Sequence, residues 1–333
     1  MKQVLLFLSL FHQGGCQVKN VLYRMKMLRP RKGPLPVVSV GNISFGGTEK
    51  TPFVLTLIAA LLKNGIKPAV ITRGYKGTWE RMGGVLSDGK SRSGTWRESG
   101  DEPFMISLNY PEIGVFVGKN RFLSCTRAHN MGFQIAILDD GFQHRRLHRD
   151  LDVVLYDPTE NYLLREPFSA LDRADILLLK DNLNAEIKKE LSGDLPDVDI
   201  FTYSVFYEGL YNMDRKEESG LDLKEKRVLA FCGIARPDRF RKLLESEGIK
   251  PIQFIAFPDH HTYPPASVKQ IVDFCENQNA DICLTTEKDA VKIKGIQALR
   301  DIPTYFFKIG IQTEDALFAK VLSQLKPGDF SDA

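Results

Sequence analysis

The chain has 333 residues with 43% apolar content, enough to bury a sizeable core and to form about two domains. Its formal net charge of +3 is too small to argue for a nucleic-acid partner. The five scattered cysteines form no C-x-x-C pair, which excludes a readable zinc site and suits reduced thiols in a cytoplasmic enzyme.

The positive charge is concentrated at the amino terminus. No Asp or Glu precedes Glu49, whereas Lys2, Lys19, Arg24, Lys26, Arg29, Arg31 and Lys32 do, so residues 1–35 read as a basic arm on a nearly neutral body. The apolar run Val4–Phe11 would extend about 12 Å as a helix, too short for a bilayer core of ~30 Å. Val18, Val21, Leu22, Met25 and Leu28 continue an apolar side among the basic residues. Three readings fit: a helix in the interface of an anionic membrane, an amphipathic helix packed on its own domain, or a signal peptide ending near Gly14-Gly15-Cys16. The first is preferred over export, which would part a nucleotide site from its nucleotide.

Pro36–Thr51, PVVSVGNISFGGTEKT, predicts a short strand, a glycine-rich loop and a helix opened by Lys-Thr. This order suits a nucleoside triphosphate: freed backbone N–H groups wrap the phosphates, the lysine neutralises them, and the following hydroxyl reaches Mg²⁺. Phe53, Val54, Leu57, Ile58, Leu61 and Leu62 form one apolar helical stripe, which Gly65 stops. The G-x-x-x-x-G-K-[ST] pattern asks for glycine at 44 and 49, where this chain has Ser44 and Glu49. Gly46 and Gly47 supply the flexibility instead, followed by Thr48, Glu49, Lys50 and Thr51. A strand-turn-helix with a chance Gly-Gly and Lys-Thr is the plain alternative.

Short apolar strands are then expected at Pro68–Ile71, Gly114–Val117, Gln134–Leu138, Leu151–Tyr156 and Ile176–Leu179, with Thr78–Glu98 a surface excursion. Strands alternating with helices imply an α/β fold: a parallel, P-loop NTPase-like sheet with helices on both faces, over residues 36–205. The charged shift within residues 206–226 reads as a linker hairpin. A second, smaller α/β lobe over residues 227–333 has strands expected at Arg227–Phe231, Ile252–Phe257, Ile282–Thr285 and Thr304–Ile309.

Several loop residues carry possible chemistry. The strand ending at Leu138 runs into Asp139-Asp140-Gly141, where acids at a strand's carboxyl end can serve Mg²⁺, although Asp-Gly turns are common. Asp101, followed by Glu102-Pro103, is either a helix cap or a general base for an attacking hydroxyl. The pair His260-His261 after Asp259 can relay a proton or bind a metal, and no third metal ligand lies at a usual spacing. Arg73, Lys119 with Arg121, Arg145 with Arg146, and Arg165 follow predicted strands, where their field suits ATP and a second anionic substrate.

In order, VGNISFGGTEKTP, TRGYKG, GDEP, VGKNR, LDDGFQHRRL, LREP, AFCGIARPDRF, FPDHHTY and TTEKDAVK resemble the tetraacyldisaccharide 4'-kinase family of lipid A biosynthesis over roughly residues 17 to 310. The resemblance implies a two-lobed kinase at the cytoplasmic face of the inner membrane of a Gram-negative bacterium. It would transfer the γ-phosphate of MgATP to the 4'-hydroxyl of tetraacyldisaccharide 1-phosphate, giving lipid IVA, with no obligate protein partner. By resemblance, Lys50 and the 46–51 backbone bind ATP, while Thr51, Asp139 and Asp140 serve Mg²⁺. Asp101 corresponds to the catalytic base and His260 to the histidine that pairs with it. Arg73, Lys119, Arg121 and Gln143 are expected at the acceptor. Where the family has glycine, this chain has Glu49: if position 49 needs a positive φ, ATP binding weakens, and if its side chain points outward, little is lost. A rival from another class, a P-loop switch ATPase acting with a membrane protein, explains the loop, the acids and the arm without needing Asp101 or His260.

Overall fold

The computed structural model describes residues 14–159, 163–183 and 185–325. The apolar run Val4–Phe11 lies outside them. Helix α1, residues 14–24, is followed by β1 (Val37–Gly41), the phosphate-type loop, and α2 (Lys50–Lys63). All five β1 residues are buried, as a strand between two neighbours requires. Phe53, Val54, Leu57, Ile58 and Leu61 of α2 are at most 1% exposed, each contributing about 1.5–3 kcal/mol by burial.

The chain continues through β2 (Pro68–Thr72), α3 (Trp79–Met82), β3 (Gly84–Asp88), α4 (Trp96–Ser99), α5 (Asp101–Asn109), β4 (Gly114–Val117), α6 (Arg121–Asn130), β5 (Ile135–Asp139) and β6 (Leu151–Tyr156). It then forms β7 (Ile176–Lys180), α7 (Ala185–Asp194), β8 (Asp199–Asn212), β9 (Val228–Cys232), α8 (Pro237–Ser246), β10 (Gln253–Ala256) and α9 (Pro265–Asn277). The last elements are β11 (Ile282–Thr286), α10 (Glu287–Ile293), β12 (Thr304–Thr313) and α11 (Asp315–Gln324). Among the described residues, twelve strands make one sheet in the order β10-β9-β11-β12-β8-β7-β6-β1-β5-β2-β4-β3. Pairing is parallel except for β3 with β4 and β8 with β12.

Two expectations need correction. Within Thr78–Glu98 lies an edge strand, β3, with Leu86 fully buried and the Ser87 hydroxyl donating to Ile113 O at 2.8 Å. Its run is too short and too polar to signal a strand, and pairing with β4 decides the matter. Residues 206–212, which composition assigns to a linker, are the second half of β8. That strand pairs parallel with β7 through Asp199–Tyr203 and antiparallel with β12 through Tyr203–Asn212. One long strand therefore joins both halves; the expected hairpin is confined to its end, where Tyr211 pairs antiparallel with Glu217 and Glu218 N–H donates to Leu210 O at 2.8 Å. The main core spans the join, because Val291, Leu317 and Val321 pack in one cluster with Phe53 and Leu57 of α2.

Candidate active site

The central strands β1 and β5 carry the glycine-rich loop and the paired acids. In β1 and β5, Val40 stands beside Asp139, so the acids emerge next to the loop that leaves β1. Close approach is obligatory here: a Cβ at Gly41 would sit 2.5 Å from Phe142 Cβ, and one at Gly141 would sit 2.6 Å from Ser39 Oγ. The buried Asn42 braces the loop from within, its Nδ2 donating to Thr48 Oγ1 at 2.9 Å and to Ser44 Oγ at 3.3 Å. Gln143 Nε2 donates to Asn42 O at 2.8 Å, which places Gln143 as a support of this loop.

Lys50 opens α2, and its Nζ lies 3.3 Å from Asp140 Oδ1, while Arg165 Nη1 lies 2.9 Å from Asp140 Oδ2. Burial raises the Asp140 carboxyl, but the Lys50 ammonium and Arg165 guanidinium outweigh it and hold the group well below the usual carboxylate range. Asp139 has the opposite environment. It is 2% exposed, and burial with the Glu102 and Asp140 carboxylates beside it pushes its carboxyl up to about 7. A carboxylate crowded by negative charge is one that a cation would relieve. Mg²⁺ takes few protein ligands and completes its shell with water and substrate phosphate, so the chemistry of a crowded strand-end carboxylate such as Asp139 suits that ion.

Glu49 takes a left-handed conformation, φ 52° and ψ 25°. Its carboxylate turns away from Lys50 to Lys180 Nζ at 3.4 Å, Tyr203 Oη at 3.4 Å, and the Arg239 guanidinium of α8. Both conditions posed for position 49 therefore hold together: the positive φ is there, and the side chain leaves the phosphate path.

A second cluster, around Asp101, joins the two halves. Gly100, at φ 93°, caps α5, so Asp101 at the first helical position is not spent on capping beyond its contact with the Glu102 N–H at 3.0 Å. His260 Nδ1 sits 3.0 Å from each Asp101 oxygen, across 159 residues of sequence. Burial raises the 5% exposed Asp101 carboxyl, but the His260 hydrogen bond and the Lys288 and Lys292 ammoniums hold it well below its usual range, so it stays ionised. Lys292 Nζ is 3.5 Å from Asp101 and 2.7 Å from Asp289. Lys288 Nζ reaches Glu102 at 3.0 Å and His260 Nε2 at 3.4 Å. The Tyr75 ring meets His260 edge-on at 5.3 Å, and a small cavity lined by Tyr75, Gly100, Asp101, His260 and Lys292 opens here.

The two histidines face apart. At φ 57° His260 turns its side chain towards Asp101, and its N–H donates to Gly233 O at 3.0 Å. His261 stacks on Phe257 at 4.6 Å and contacts Ser267 Oγ at 2.8 Å, so it is a packing residue.

Of the residues expected at the acceptor, Arg73 and Lys119 converge on Glu80 at 2.7 and 3.6 Å, each half exposed. Arg121 is 3% exposed and donates to Gly118 O; burial lowers its guanidinium to about 10, against the field of Asp140 and Asp139. Asn42, Lys288 and Lys292 carried no assigned role in the sequence reading. The i,i+4 spacing of the two lysines on one helix was the available signal.

The family model for tetraacyldisaccharide-1-P 4'-kinase matches residues 1–326. Among curated relatives, the tetraacyldisaccharide 4'-kinase of Desulfotalea psychrophila is 37% identical, covering 90% of this chain and 89% of its own length. That of Syntrophus aciditrophicus is 34% identical, covering 96% and 92% respectively. The solved structure of LpxK from Aquifex aeolicus in complex with ATP superposes with a TM-score of 0.76 at 29% identity, covering 97% of this chain and 99% of that one. With the phosphate-type loop and the Asp101–His260 contact in place, the chain belongs to the tetraacyldisaccharide 4'-kinase family.

Proposed function

We propose that this ATP-dependent kinase transfers the γ-phosphate of ATP to the 4'-hydroxyl of tetraacyldisaccharide 1-phosphate, giving lipid IVA and ADP. The observation that carries the assignment of roles is the His260–Asp101 contact, for which a nucleotide switch has no use. Loop amides of residues 46–51 and Lys50 bind and orient the phosphates. As the 4'-oxygen bonds to the γ-phosphorus and the bond to the β,γ-bridging oxygen breaks, Asp101 accepts the hydroxyl proton. His260 holds that carboxylate in place, and Lys288 and Lys292 keep it ionised. Asp139 and Thr51 would hold Mg²⁺, which when bound supplies positive charge to the phosphate oxygens.

The acceptor is a lipid, and the arm suits a membrane surface. Val18, Val21, Met25, Met27 and Leu28 are 41–68% exposed on or just after α1, among exposed Arg24, Lys26 and Arg29. Among the described residues no helix is long and apolar enough to cross a membrane. A basic, apolar arm attracts the enzyme to the anionic cytoplasmic leaflet as a peripheral protein.

The test is transfer of γ-labelled phosphate to the purified acceptor. The expected result is label in the lipid, with little ATP turnover in its absence. Acceptor-independent hydrolysis stimulated by a membrane protein instead would replace this reading with the switch.

A further inference from the structure

Where the arm meets the sheet, Tyr23, Pro30, Arg145, Leu147, His148 and Arg149 line a cavity of about 90 Å³. That is several times the roughly 10–15 Å³ one water needs. Its charge is unbalanced. Arg145 lies 4.5 Å over the Tyr23 ring and donates to Asn20 Oδ1 at 2.8 Å, and no carboxylate pairs with it among the described residues. Arg149 pairs with Asp152 at 2.8 Å through one side of its fork, its side chain only 9% exposed. Its other terminal nitrogen, Nη1, is buried with no acceptor among the described residues. A buried guanidinium N–H without a partner is costly. Burial, then the charges of Arg173 and Arg149, lowers the Arg145 guanidinium, and the more distant Glu166 carboxylate only partly opposes them.

Tyr23 of α1 and Pro30, which follows the exposed Met27 and Leu28 in the chain, form part of the cavity wall. α1 is tied down beside it by Lys19 Nζ to Gln143 O at 2.8 Å and by Asn20 Nδ2 to Glu166 Oε2 at 2.7 Å. We propose that the Tyr23–Arg145–Arg149 cavity binds the phosphate group of a lipid, held by the guanidinium forks at the level where the arm meets the membrane surface. A phosphate has the size, charge and bidentate geometry to be held between the Arg145 and Arg149 guanidiniums in the cavity wall. The inference rests on the membrane-surface reading above. The phosphate comes either from an anionic headgroup of the bilayer or from the 1-phosphate of the acceptor.

The experiment compares Arg145→Gln, Arg149→Lys and Arg146→Gln. Arg149→Lys keeps the charge opposite Asp152 but loses the fork; Arg146 is an exposed neighbour that does not line the cavity. Binding to vesicles of phosphatidylglycerol with phosphatidylcholine, and KM for the acceptor in neutral detergent, are measured after thermal melting shows each variant folded. A bilayer headgroup predicts vesicle affinity reduced about tenfold or more by Arg145→Gln and Arg149→Lys, less than about fivefold by Arg146→Gln, and KM unchanged. The acceptor's own phosphate predicts the same ranking in KM, with vesicle binding changed only by charge. Equal losses for Arg145→Gln and Arg146→Gln, or no loss in either measurement, would overturn the site in favour of a diffuse basic field. If wild type ignores vesicles altogether, the surface reading fails, and the KM series still decides the cavity.

Discussion

At position 49 a left-handed backbone and a glutamate coexist because the carboxylate is held by Lys180, Tyr203 and Arg239. A left-handed non-glycine residue costs about 1–2 kcal/mol, which these contacts offset. Glu49→Gly removes the backbone strain and frees the Lys180 and Arg239 cations from the carboxylate that holds them. Steady-state kinetics should show KM for ATP falling about threefold to tenfold; a rise would mean that the tie to Arg239 shapes the loop. Asp139 yields a signed pH prediction. Its folded pKa of about 7 lies above its unfolded value, so its contribution to stability is present at low pH and is lost as pH rises through 7. Asp139→Asn removes that loss. Thermal melting at pH 8 without Mg²⁺ should show the variant more stable than wild type by on the order of 2–4 kcal/mol. It should also be inactive and no longer stabilised by Mg²⁺. Lys50, Thr51, Asp139 and Asp140 were legible in sequence because a loop after a strand is a local pattern. The Asp101–His260 pairing was not, since 159 residues separate the two and only a resemblance linked them.

The elements that position these residues depend on backbone that few side chains tolerate. Gly74 has φ +68°, and a Cβ there would lie 2.2 Å from Val117 Cγ1 and 2.6 Å from Ser99 O. Ser99 leads directly into Gly100 and Asp101, so Gly74→Ala strains the turn and pushes on the start of α5. Melting should fall by an amount corresponding to about 2 kcal/mol or more, with kcat reduced as well. A variant with wild-type stability and kcat would show that the two loops move independently. Buried strands and α2 were readable as continuous or periodic apolar runs. β3 and the far half of β8 were not, because pairing with β4 and β12 makes them strands, and their own composition is that of exposed chain.

Across the whole molecule, one sheet carries a site assembled from both ends. α5 and α10 bring the halves together, with Lys288 to Glu102 at 3.0 Å and Asn109 Nδ2 to Glu287 Oε1 at 2.8 Å alongside the dyad. The two-lobed expectation put the glycine-rich loop in one half of the chain and His260 in the other, and the sheet brings Asp101 of the first half to His260 of the second. The expectation missed that β8 makes the division a continuous sheet, because composition reports the charge of a segment and not its hydrogen-bond partners.

The most direct measurement is a double-mutant cycle on transfer of γ-labelled phosphate to the acceptor, with Asp101→Asn, His260→Gln and the pair together. If the two residues act as one unit, Asp101→Asn lowers kcat about 10²- to 10⁴-fold with KM for ATP little changed, and adding His260→Gln to it costs little more. Losses that simply multiply, or an Asp101→Asn variant with near wild-type turnover, would contradict the role given to this pair.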